Sequence, residues 1–95
     1  MKHVRKFYDC STAHLPRETV EKMESGLWPS VSMESEFGFL VHVPEKVEHL
    51  DELKARGMDC PAYLTIIQFA QDAGCDYILF DRDVEPVPYL QEFDW

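Results

Sequence analysis

Cys75-Asp76-Tyr77-Ile78-Leu79-Phe80-Asp81-Arg82-Asp83 is the stretch on which the fold of this chain turns. Tyr77 to Phe80 are consecutive large apolar residues between a helix-ending Gly74 and a charged exit, and such a run reads as a strand covered on both faces. The rest of the chain must pack against it or pair beside it. No catalytic signature and no cofactor fingerprint accompanies it.

Upstream, Pro61 starts a helix in which Tyr63, Leu64, Ile66, Ile67, Phe69, Ala70 and Ala73 are apolar nearly all round, so this is predicted to be the most buried helix. Before it, Val47, Leu50 and Leu53 mark a short amphipathic helix closed by Gly57. Its other face, Glu48, Asp51, Glu52 and Lys54, is solvated. Phe37 to Val43 is rich in aromatic and β-branched residues and reads as a strand ended by Pro44. It forms a hairpin with the alternating segment Val31 to Glu34, an edge strand, and Gly38 leaves room for a neighbour or a bulge. Val4 to Cys10 is the first strand. Pro16 opens a helix buried through Val20, Met23 and Leu27 and ended by Gly26.

The order strand, helix, strand, strand, one or two helices, strand matches the split β-α-β arrangement of ferredoxin-like folds. The expectation is a single α+β domain over residues 1–95, a four-stranded mixed or antiparallel sheet with helices on one face. Residues 84–95 form an extended acidic and aromatic tail, packed on the domain's own sheet. In that topology the first and last strands run antiparallel side by side. Cys10 then lies near Cys75, and Asp81 and Asp83 lie near Lys2 and Arg5.

Ninety-five residues, 45% hydrophobic, suffice for one compact core. Eighteen acidic against nine basic residues give a formal charge of -9. Such a surface repels nucleic acid, and the cluster Lys2, Arg5, Lys6 and His3 supplies too few phosphate contacts to reverse that. A cationic protein surface, or one that normally holds nucleic acid, suits it better. Cys10, Cys60 and Cys75 are odd in number and lack C-x-x-C spacing, which fits a reducing cytoplasm. No apolar run reaches bilayer-spanning length, so no membrane association is expected.

Asp81 and Asp83 share one side of an extended chain and form a carboxylate pair of the kind that holds a hard metal ion. In the antiparallel arrangement the basic amino-terminal strand neutralises them instead. A parallel last strand would gather Asp9 and His14 at the same sheet end as Asp81 and Asp83, the geometry of a small metal-dependent hydrolase. Ser11, Thr12 and His14 either hold an anion at a helix entrance or cap its amides. Cys10 and His14 as nucleophile and base lack a third orienting group. His3, His42 and His49 show no zinc-site spacing. Neither a metal nor a cofactor is expected.

Ser11-Thr12-Ala13-His14 with Glu18-Thr19, Phe37 to Val41, Gly74 to Asp83, and Leu90 with Phe93-Asp94-Trp95 together resemble a bacterial family of small proteins of unknown function found on plasmids, phages and integrated elements. The resemblance implies a mobile-element accessory protein and brings no catalytic residues with it. With the acidic charge, it leads to the expectation of a non-enzymatic protein that occludes a basic surface of a partner, such as a nucleic-acid-binding effector of a host defence system of the CRISPR type. The expected contact residues are Glu48, Asp51, Glu52, Glu92, Phe93, Asp94 and Trp95, acids for encounter and aromatics for affinity.

Overall fold

The computed structural model describes residues 4–28, 31–35, 38–45 and 49–93. Readings that fall on Lys2, His3, Phe37, Val47, Glu48, Asp94 and Trp95 lie outside the described residues. In chain order the elements are β1 (Phe7–Ser11), a short 3-10 turn (Thr12–His14), α1 (Arg17–Glu24), β2 (Val31–Ser35), β3 (Gly38–His42), α2 (His49–Ala55), α3 (Pro61–Asp72) and β4 (Tyr77–Asp81). The protein is a small α+β domain with a mixed sheet in the order β1-β4-β3-β2.

This order corrects the ferredoxin-like expectation. β4 is inserted between β1 and β3, antiparallel to β3 but parallel to β1, with Phe7 opposite Tyr77, Asp9 opposite Leu79 and Ser11 opposite Asp81. Lys6 shows the reason at atomic level. Its carbonyl accepts the N–H groups of Asp76 and Tyr77 at 2.7 and 3.2 Å. Its own N–H donates to the Asp76 carboxylate at 2.9 Å, and its ammonium donates to the Ala73 carbonyl at 2.7 Å. Lys6 therefore holds Asp76 through its backbone N–H and places its charge at the negative end of α3, at the start of β4, while Asp81 and Asp83 lie at the strand's other end. Cys10 pairs with Phe80, a whole strand away from Cys75.

One face of the sheet carries the core. Cys10, Ile78, Phe80, Phe39 and Val41 are buried there against α1 and α3, through Val20, Met23, Tyr63, Ile66 and Ile67. Tyr63 lies at the centre, with its ring 5.0 Å from that of Trp28, edge-on, and 6.0 Å from that of Phe80. Full burial of one such side chain is worth about 1.5 to 3 kcal/mol, and that is what holds the helices on this face. α3 starts with Pro61 in its first turn, where a missing N–H costs nothing, and the chain leaves it through Gly74 at φ 76°. Gly38 is fixed differently: a Cβ there would collide with the Phe80 carbonyl of the neighbouring strand. Among the described residues, no helix is long and apolar enough to cross a membrane.

The other face differs from the sequence reading. The run from Tyr77 to Phe80 is covered on one side only: Ile78 and Phe80 are fully buried, while Tyr77 and Leu79 are half-buried.

Candidate functional site

Parallel pairing of β1 with β4 brings together residues far apart in sequence. The register sets Asp9 opposite Leu79 and Asp81 opposite Ser11, so the two acids are diagonal neighbours on one face of the strand pair. The Asp81 carboxylate also accepts the Asp83 N–H at 2.9 Å, a tight local turn at the end of β4. Asp9 is the member whose carboxyl is raised, first by partial burial, then by the charge of Asp81 and the hydrogen bond to it. A proton on Asp9 lets it donate to Asp81.

His14 does not join them. Its ring is buried, with Nδ1 2.9 Å from the Gln91 carbonyl and Nε2 accepting the Val87 N–H at 2.9 Å. Those partners require the neutral tautomer with its proton on Nδ1, donated to Gln91. The Phe93 N–H donates to the Ala13 carbonyl at 2.8 Å, so three contacts clasp the tail onto the turn after β1. Ser11 caps that turn through Oγ, which accepts the Ala13 N–H at 3.1 Å. Ser11 and His14 thus serve local structure, and Thr12 between them is buried. The tail packs on this turn, on α3 and on the β1 edge of the sheet: Leu90 lies against the core cluster, the Tyr89 ring is 5.7 Å from Phe69, and the Tyr89 hydroxyl is 3.4 Å from that of Tyr8 on β1.

Cys10 is buried in the core. Burial, with a smaller effect from Asp9, pushes its thiol up to about 12, and the His14 ring nitrogens face the tail. Among the described residues, no group of three or more His, Cys, Asp and Glu side chains is placed to hold a metal ion.

The expected contact residues are scattered. Asp51 and Glu52 are exposed on α2, Glu92 is exposed on the tail, and Phe93 is half-buried there. Asp51 lines a groove of about 560 Å³ between α2 and α3, together with Leu50, Lys54, Asp59 and Leu64.

Sequence reasoning missed the open sheet face. Phe7, Asp9, Leu40, Tyr77, Leu79 and Asp81 alternate with buried neighbours and so point away from the helices. Phe7 is 55% exposed and Met33, opposite Leu40 on β2, is 64% exposed. The signal was present in the doubly apolar run of β4.

Residues 7–95 match the family described as "Family of unknown function (DUF5983) C-terminal domain". The chain belongs to this family. Neither the curated proteins nor the solved structures compared with it give a match. Membership in DUF5983 carries no assigned reaction, so the chemistry rests on the residues described above.

Proposed function

We propose that this member of DUF5983 is a non-enzymatic acidic binding protein that occludes a basic surface of a partner protein. The partner class that suits it best is a nucleic-acid-binding effector of a host defence system, as an anti-CRISPR inhibitor encoded on a mobile element would engage. The observation behind this is the acid surplus left available to a partner. The chain has a formal charge of -9, yet among the described residues only Arg17–Glu21 and Arg82–Glu24 form side-chain ion pairs, both exposed. Such a surface speeds encounter with a cationic one and discriminates against polyanions.

The test is capture of a partner from host lysate at low and high salt, repeated with the variant Glu48→Gln/Asp51→Asn/Glu52→Gln. Capture that weakens with salt and with these substitutions supports the reading. Absence of any partner at either salt removes it.

The parallel strand pair favours a second reading, a small metal-dependent hydrolase built on Asp9, His14, Asp81 and Asp83. The juxtaposition of Asp9 and Asp81 supports it, and the engagement of His14 by the tail opposes it. Calorimetry with Mg²⁺ and Mn²⁺, alongside Asp81→Ala in a cellular assay, decides the matter. Silence in the first and retained function in the second eliminate the hydrolase.

A further inference from the structure

A parallel strand pair is normally covered on both faces, because its outward side chains are apolar. Here β1 and β4 present Phe7, Tyr77 and Leu79 on the face away from the helices, and β3 adds Leu40. None of α1, α2 and α3 lies there, since their buried residues belong to the core on the opposite side. At one end of this apolar strip stand Asp9 and Asp81, diagonal neighbours across the strand pair, since Asp9 lies opposite Leu79 and Asp81 opposite Ser11. An apolar layer that the described helices leave open needs a cover, and paired acids at its edge specify a cationic one.

We propose that this open face is the surface on which the partner docks, with apolar side chains on the strip and an arginine between Asp9 and Asp81. Arginine is the fitting cation. Its planar guanidinium offers five N–H donors, enough to serve two carboxylates at once, and it sheds water more readily than an ammonium. It is also a residue type that anchors interfaces among apolar contacts. The inference rests on the binding function proposed above and deepens it by naming the face and the chemistry that face selects.

The probe is an acetylated, amidated Val-Arg-Val tripeptide, titrated into the isotope-labelled chain while backbone amide shifts are followed, with Val-Lys-Val and Val-Gln-Val in parallel. Val-Arg-Val is expected to shift Asp9, Leu40, Leu79 and Asp81, with the glutamine peptide about tenfold weaker, as loss of one charged hydrogen-bonding group implies. Asp9→Asn/Asp81→Asn abolishes the arginine preference without unfolding the chain.

Four outcomes overturn the proposal: no shifts at millimolar peptide; shifts on α2 with the face silent; stronger shifts of the same residues by Mg²⁺ alone; or shifts of the face with protein concentration alone, which would make the cover a second copy. Salt-dependent capture of a partner that survives both Asp9→Asn/Asp81→Asn and Phe7→Ser removes this face while leaving the binding function in place. Loss of all capture by the wild-type chain removes both.

Discussion

Replacing His14 by Phe keeps an aromatic ring of similar size in a buried position while deleting two hydrogen bonds of 2.9 Å, those to the Gln91 carbonyl and from the Val87 N–H. If the tail stayed in place, those two groups would be stranded behind a phenyl ring at about 1 to 3 kcal/mol apiece. Release is cheaper. The tail then regains water and chain freedom and gives up these two bonds and the one from the Phe93 N–H to the Ala13 carbonyl, about 1 kcal/mol each. It also loses the partial burial of Leu90 and Phe93, which the regained freedom offsets. The expected loss is about 3 kcal/mol, or roughly 15 °C in Tm for a domain of this size. Chemical denaturation measures the first quantity. Amide exchange measures the second consequence, because the Val87 N–H and the Phe93 N–H, which donates to Ala13 at 2.8 Å, should lose protection together. A variant whose stability stays within about 0.5 kcal/mol of the parent, a difference typical of an inert surface change, would refute the clasp. Retained protection at both amides would do the same.

Three further expectations follow from other sites. Gly38→Ala, whose new methyl would meet the Phe80 carbonyl, should cost about 1 to 3 kcal/mol in denaturant melts as β3 and β4 are forced apart. Asp9→Asn should stabilise the fold by roughly 0.5 kcal/mol at pH 7 by removing a like-charge contact with Asp81. Because the folded-state carboxyl is raised above its ordinary 3.8, Asp9 favours folding fully below that value and loses this contribution as pH rises through the raised one. The advantage of the Asn variant should therefore vanish in melts below about pH 3.8. Finally, a small alkylating reagent at neutral pH should modify half-buried Cys75 well before Cys10, whose thiol is buried and pushed up to about 12; mass mapping that finds Cys10 modified first contradicts the burial argument.

Much of the fold was legible because local signals were strong. Pro61 and Gly74 bracket α3, Gly57 follows α2 at φ 90°, and the apolar run of β4 does occupy the middle of the sheet. The alternation at Val31 marked an edge strand, and β2 is one. The roles of Ser11 and His14 were harder, since a hydroxyl and an imidazole near a helix entrance look alike in sequence whether they meet a ligand or the chain's own amides. What settles His14 is contact with residues 87 and 91, and no local pattern encodes a partner that far along the chain.

Strand direction was misread for a reason that also bears on function. Attraction between the basic amino-terminal segment and Asp81 with Asp83 suggested an antiparallel pair, but exposed charge pairs are worth only about 0 to 1 kcal/mol. Backbone pairing of five residues in β1 with five in β4, locked at its start by Lys6 on Asp76 and on the end of α3, outweighs them. The same few charges that failed to direct folding are then left facing outward. Asp9 and Asp81 meet each other in place of a cation, beside an apolar strip that the chain's own helices leave uncovered. An inert scaffold would relieve both features at small cost, with an Asn at residue 9 and a polar residue at 79. Their coexistence on one face is what makes that face, and not the clasped tail, the place to look for a partner.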